Sequence, residues 1–234
     1  MKKLLLLALT ALLITLSSCE FWFESLNDTV QAEVDNATTH GLTGIMVYVD
    51  QAGKAPAYYT AGWSDRDNLV PADSHDLFKI ASISKLYLAA AATKMIEADL
   101  LSLDRTLADY LPEIGPKFQY ADQITLRMLI QHRSGLPNFI DHPNYDWDSP
   151  PYTIAMGLEL AISMDPDFRP DRRYRYSNTN YLLLGQIMDR TLGYSHHQYI
   201  QDQILTPLGL TNTYSLSDID SHSTADRTVF QKER

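Results

Sequence analysis

Leu77-Phe-Lys-Ile-Ala-Ser-Ile-Ser-Lys-Leu-Tyr-Leu-Ala-Ala-Ala-Ala-Thr-Lys-Met-Ile-Glu97 is the stretch from which the fold is read. Alanine-rich and with few polar interruptions, it predicts a mostly buried helix from Ser82 to about Leu100, with Ser82 in its first turn. Ser82 and Lys85 then lie three apart on one face, about one turn from each other. A lysine so placed can take a proton from the serine hydroxyl. The free N–H groups and positive dipole end of a helix start would favour a developing alkoxide or oxyanion at Ser82. Spacing alone is weak evidence, because the serines and lysines of this chain would produce about 0.6 such pairs by chance. A capped helix with a solvated lysine is the plainer reading of the pair in isolation.

Working outward, residues 20 to about 42 carry scattered apolar positions, among them Val30, Val34 and Ala37, and predict one amphipathic helix after a short tether. Thr43 to Asp50 and Ala57 to Trp63 read as β runs joined by a turn over Gln51 to Lys54, hence a hairpin. Downstream, Thr125 can cap a short helix that reaches Gln131, and Ser134-Gly-Leu-Pro137 supplies turn chemistry behind it. Residues 138 to 170 read as loop around one apolar segment, Ile154 to Met164. Two further helices follow, Asn178 to about Leu192 closed by Gly193, and Ser195 to Leu205 ahead of Pro207. The sum is an α+β chain, with a little β first and then mostly α.

A second triplet, Tyr176-Ser-Asn178, has a chance expectation of about 0.5 and is equally weak alone, since Tyr176 could be a core aromatic and Asn178 a plain helix cap. The triplets gain weight from their order and from the blocks around them: Leu77 to Lys85, Ile124-Thr-Leu-Arg-Met-Leu-Ile-Gln-His-Arg-Ser-Gly-Leu-Pro137, Tyr176-Ser-Asn-Thr-Asn-Tyr-Leu-Leu-Leu-Gly185 and Leu205-Thr-Pro-Leu-Gly-Leu210. Four such blocks, from about Gly41 to Thr213, resemble the class C β-lactamase group and its penicillin-binding relatives, which include D-Ala-D-Ala carboxypeptidases, D-aminopeptidases and esterases. The resemblance implies a β-lactamase/transpeptidase-like fold, an antiparallel sheet with a large helical domain. It also implies an acyl-serine hydrolase without a cofactor, acting on a D-amino-acid peptide, a β-lactam or an ester. Ser82 would attack the carbonyl, Lys85 would activate it, Tyr176 would relay a proton to the leaving group, and Asn178 would hold Lys85 and the substrate amide.

Relatives carry a third element after the Tyr-x-Asn block, Lys or His followed by Ser or Thr and then Gly, on a sheet strand. The 234 residues hold none, and His222-Ser-Thr-Ala225 comes nearest. Loss of one oxyanion donor typically costs about 10²–10³ in rate. The expectation is therefore a C-terminally truncated domain, with only the N-terminal hairpin of its sheet, and the alternative function is a catalytically impaired remnant that at most binds peptidoglycan or a partner. Asp171 also stands where relatives usually place Gly, a departure that bears on local loop geometry.

The remaining expectations come from charge and from the N-terminus. Lys2 and Lys3, the apolar run Leu4 to Leu16, and Leu16-Ser-Ser-Cys19 read as an export signal that ends in a lipobox-like site. Cys19 would carry lipid and anchor an exported lipoprotein at a membrane of the bacterial cell envelope, whereas an ordinary cleaved signal with an incidental cysteine is the simpler alternative. The expected segments are thus 1–18 signal, 19–42 tether and helix, 43–212 incomplete domain, and 213–234 polar tail. With 29 acidic and 19 basic residues the net charge is −10, so a nucleic-acid partner is not expected. One cysteine excludes an internal disulfide framework. His132, His196 and His197 read as surface or capping residues and Arg172, Arg173 and Arg175 as a solvated loop, with no metal site expected.

Overall fold

The computed structural model describes residues 28–148 and 153–214. The signal and Cys19, and the string His222 to Ala225, lie outside the described residues. Among the described residues no helix is long and apolar enough to cross a membrane. The chain divides into two compact units, one up to Lys79 and one from Ile80 onward.

In the first unit, residues 28–39 form helix α1, which buries Val34 and donates from Gln31 Nε2 to the Thr60 carbonyl at 3.2 Å. Strands β1 (Gly44–Val49) and β2 (Ala57–Asp65) pair antiparallel from Gly44 opposite Gly62 to Val49 opposite Ala57. Tyr48 and Tyr58 face each other in that register with ring centres 5.0 Å apart, a stabilising cross-strand aromatic pair. The hairpin expected from sequence is thus present, but the sheet has a third strand, β3 (Val70–Pro71), beside β2. Two residues show no alternation to read. Pro71 lacks an N–H and is tolerated because β3 is an edge strand.

The second unit is helical, and its first element differs from expectation. Helix α2 (Ser84–Glu97) begins two residues after Ser82, which sits in a 3₁₀ turn over Ala81–Ile83. The cause is local: Ala81 is left-handed (φ 44°), so the α-helical ladder cannot start before it, and the Ser84 hydroxyl satisfies the Ala81 carbonyl at 2.6 Å. Nor is α2 buried all round. Ala91, Ala92 and Met95 form its buried face, whereas Leu86 is 70% exposed.

Two short helices follow: α3 (Leu107–Tyr110), capped by Thr106 and not read from the sequence, and α4 (Leu126–Ile130), capped by Thr125 as the sequence predicts. Helix α4 closes in a Schellman turn, with His132 left-handed at φ 55° and Arg133 N–H donating to the Met128 carbonyl at 2.8 Å. The apolar segment read as part of a loop is helix α5 (Ile154–Ile162), whose start Thr153 caps through the Met156 N–H at 3.2 Å. Helix α6 (Asn178–Leu192) keeps the expected boundaries, with Gly193 left-handed beyond its end. Helix α7 (His196–Ile200) runs on into a π-helical turn over Gln201–Leu205. Leu183, Leu184, Ile187 and Met188 of α6 lie fully inside the core with Met95, Leu107, Leu126 and Leu129, and α6 touches α2, α4, α5 and α7.

Between α4 and α5 the chain must turn sharply at Gly135. Its φ is 79°, a Cβ there would overlap the Phe168 carbonyl oxygen, and its own carbonyl accepts from the Asp167 N–H at 2.9 Å. Gly135→Ala therefore combines left-handed strain with a backbone collision, and chemical denaturation is expected to show a loss of at least about 2 kcal/mol. An unchanged midpoint would disprove this account of the turn.

Candidate active site

Ser82, Lys85, Tyr176 and Asn178, singled out from two stretches some ninety residues apart in sequence, meet in the second unit. Lys85 Nζ donates to Ser82 Oγ at 3.1 Å and to Asn178 Oδ1 at 2.8 Å. The Tyr176 hydroxyl is 2.8 Å from Ser82 Oγ and donates to Asn178 Oδ1 at 3.2 Å. With the phenol proton on Asn178, the phenol oxygen accepts from Ser82, so a donor path runs from the serine toward Tyr176. Ser82 is exposed at the mouth of this cluster and Tyr176 is 37% exposed, whereas Lys85 is half-buried.

The electrostatics follow from one cation among dipoles and rings. Lys85 Nζ lies 5.1 Å from the Tyr176 ring centre and 5.7 Å from that of Tyr181. Burial alone would push the Tyr176 phenol up, but the hydrogen bonds from Lys85 and Ser82 and the lysine charge outweigh it and hold the phenol below its ordinary value. Asn178 is kept in orientation by Asn138, whose Oδ1 accepts from both the Asn178 backbone N–H (2.9 Å) and its Nδ2 (3.1 Å). Asn178 Oδ1 is thereby left for Lys85 and Tyr176. Asn178 is the first residue of α6 and its cap position belongs to Ser177, so the plain-cap alternative fails.

His132 and His196 are not surface residues, being 8% and 5% exposed. His196 is buried because Asp189 accepts its Nδ1–H at 2.7 Å and its ring packs on Gly185, where no side chain stands in the way. His132 lies inside the candidate site, its ring centre 4.5 Å from Tyr176 and 5.2 Å from Tyr181. Sequence reasoning missed it although it sits within the block Ile124 to Pro137; Asn138, just beyond that block, and Tyr181 were missed as well. The arginine run is exposed, as expected, and makes surface contacts: Arg175 pairs with Asp167 at 2.7 Å and Arg173 lies 4.8 Å over the Phe168 ring. Asp171 does adopt a left-handed backbone (φ 61°), the conformation in which glycine is the default, and Arg133 holds its carboxylate at 2.6 Å. Among the described residues there is no group of three or more His, Cys, Asp or Glu able to hold a metal ion.

Comparison with known proteins gives the same blocks a context. The β-lactamase family model matches residues 26–229. Penicillin-binding protein 4* of Bacillus subtilis is 27% identical over 172 residues, 71% of this chain and 37% of that protein. The protein Flp of Staphylococcus aureus is 27% identical over 195 residues, 80% of this chain and 39% of its own length. Among solved structures, D-amino acid amidase from Ochrobactrum anthropi in complex with L-phenylalanine amide superposes with a TM-score of 0.69 at 25% identity, covering 82% of this chain and 56% of its own. The octameric penicillin-binding protein homologue from Pyrococcus abyssi, at 24% identity and TM-score 0.69, shows the fold alone, covering 87% of this chain and 47% of its own. The chain spans well under half the length of these curated relatives. The fold is β-lactamase/transpeptidase-like, as the resemblance implies.

Burial, then the Lys85 charge, hold the His132 imidazole below its ordinary value, against one opposing hydrogen bond. A fold that prefers the neutral ring gains stability from it above about pH 6.5, the unfolded value, and loses that gain as the pH falls through the lower folded value. The thermal midpoint is expected to fall from pH 7 to pH 5, and to fall less steeply in His132→Asn, which has no ring to protonate. Parallel profiles would sink this assignment.

Proposed function

The chain belongs to the β-lactamase family, and we propose that it is an acyl-serine hydrolase in which Ser82 is the nucleophile. The observation that carries this reading is the Lys85 ammonium bridging Ser82 Oγ and Asn178 Oδ1 while the Tyr176 hydroxyl rests on the same serine oxygen. Ser82 Oγ attacks the carbonyl carbon of a D-amino-acid amide, a β-lactam or an ester, and its proton passes to Tyr176 reacting as the phenolate, the form that the neighbouring Lys85 ammonium favours. The carbonyl electrons move to oxygen, where the backbone N–H of Ser82 is one stabilising donor. As the tetrahedral intermediate collapses, the bond to the leaving nitrogen or oxygen breaks and that atom takes its proton from Tyr176. Water then adds to the acyl ester and gives a proton to the Tyr176 phenolate, which returns it to Ser82 Oγ as the ester bond breaks and the acid leaves. A phenol held below its ordinary value is suited to both transfers. Similarity to penicillin-binding proteins and to a D-amino acid amidase supports these substrate classes.

A second reading is acylation with poor turnover, since a single backbone donor at Ser82 stabilises the oxyanion less than two donors would. The two readings differ in the lifetime of the adduct. A fluorescent penicillin or fluorophosphonate is expected to label Ser82, with no label in Ser82→Ala and acylation slowed about 10²-fold or more in Lys85→Met and Tyr176→Phe. Release within minutes of the acyl group left on Ser82 by an activated carboxylic ester supports the hydrolase, a persistent acyl ester supports the second reading, and a Ser82 that none of these probes labels refutes both.

Export and lipid attachment at Cys19 complete the proposal, motivated by Lys2, Lys3 and the apolar run to Leu16. Expressed in a bacterial host, the chain is expected in the membrane fraction and Cys19→Ala in the soluble one; equal partitioning would remove the anchor from the reading.

A further inference from the structure

His132 is the most buried titratable ring in the site, and the reaction proposed above gives it no proton to carry. Its Nδ1 meets two groups, the backbone N–H of Ser177 at 3.2 Å and Asn180 Nδ2 at 3.1 Å. A backbone N–H can only donate, so Nδ1 must present a lone pair. Asn180 agrees, because its Oδ1 accepts from the Ser134 hydroxyl at 2.6 Å and leaves the amide nitrogen facing the histidine. The neutral ring therefore carries its proton on Nε2. That ring lies tilted by 33° against Tyr176 and by 31° against Tyr181, with Tyr174 edge-on at 6.0 Å. Lys85 is the nearby cation, and Tyr174, Tyr176 and Tyr181 are the titratable groups of the packed elements.

Two constraints thus converge on one residue. Nδ1 fixes the backbone at Ser177, directly after Tyr176, while the ring face limits where the Tyr176 ring can swing. We propose that His132 is the positioning residue of this site, a neutral Nε2–H imidazole that pins the turn into α6 and buttresses Tyr176, setting the phenol oxygen on Ser82. The inference rests on the catalytic reading of Tyr176 but concerns its placement, which is measurable without turnover. The left-handed backbone at position 132 (φ 55°) guides the choice of variants. Asparagine tolerates that conformation and puts its Oδ1 close to where Nδ1 stands, so His132→Asn keeps the acceptor and loses the ring. His132→Phe keeps a ring and loses the acceptor.

The test uses the full chain labelled with ¹⁵N and with ¹³C in tyrosine. Long-range ¹H–¹⁵N correlation at pH 7.5 is expected to show His132 with unprotonated Nδ1 and protonated Nε2. The Tyr176 phenol, assigned with Tyr176→Phe, is expected to titrate below the ordinary value in the wild type and to move back toward about 10 in His132→Asn. Ser82 acylation should slow by about 10- to 100-fold in the same variant, the scale of a misplaced catalytic group. An Nδ1–H or doubly protonated ring, or a Tyr176 titration unchanged in His132→Asn, overturns the proposal. Should His132→Asn fail to fold, the wild-type tautomer and the Tyr176 titration of His132→Phe, expected nearer the wild-type position, decide it. If the wild-type serine takes no label, the hydrolase reading fails while the tautomer and the phenol titration still judge His132.

Discussion

A seam of buried polar side chains between residues 132–139 and the start of α6 is the constraint on which the site depends. Ser134, Ser177, Thr179 and Asn180 are essentially inaccessible, His132 and Asn138 nearly so, and each has a partner across the seam. The Thr179 hydroxyl donates to the Pro137 carbonyl at 2.6 Å and accepts from Phe139 N–H at 3.1 Å, and Ser177 Oγ reaches the same Pro137 carbonyl at 3.0 Å. An unpaired polar group at such depth would cost about 1–3 kcal/mol, so the seam tolerates essentially one register of the loop on the helix. Fixing that register fixes Tyr176 and Asn178, which flank Ser177 on either side.

The seam also resolves a conflict between core and chemistry. Helix α6 must bury Leu183, Leu184, Ile187 and Met188 while presenting polar atoms to Ser82 and Lys85 from its first turn. An unsupported helix start leaves its first N–H groups without partners. Here Asn138 Oδ1 takes the Asn178 N–H and His132 Nδ1 takes that of Ser177, so side chains from a distant loop do what a local cap ordinarily does. On the opposite side, left-handed Ala81 delays α2 and leaves Ser82 on an exposed 3₁₀ turn, with Lys85 in the first true helical turn behind it. Strain of about 1–3 kcal/mol at one residue is the usual cost of such a placement.

Much of this was legible in the chain. The boundaries of α6, the Thr125 cap and the β1–β2 hairpin follow from local signals: an apolar period closed by Gly193, a capping threonine, and alternation broken at a turn. The four polar residues that meet at Ser82 were also named from sequence, because two short patterns and their surrounding blocks pointed to them. What could not be read depends on contacts distant in sequence or on backbone conformation that the residue type conceals. Nothing about alanine announces a left-handed φ, nothing in Val70–Pro71 alternates, and the burial of His132 comes from pairing with Ser177 and Asn180, forty-five and forty-eight positions away. Helix α5 was hidden by the Pro, Asp and Asn that surround it.

The chain is strongly acidic overall, at −10, yet the site is locally positive. Among the described residues Lys85 makes no ion pair; amide, hydroxyl and aromatic groups surround its charge. Dipoles and π faces stabilise a cation without cancelling it, so its field remains available to neighbouring oxygens. That field has two consequences of opposite kind. At His132 it disfavours a second positive charge and, together with burial, keeps the ring neutral, which is the state that can accept from Ser177. At Tyr176 it favours negative charge, and the same preference extends 3.1 Å away to Ser82 Oγ, where an alkoxide must develop. Burial and one uncompensated cation thus favour the neutral His132 that builds the site, and the cation also favours the charge the site has to generate.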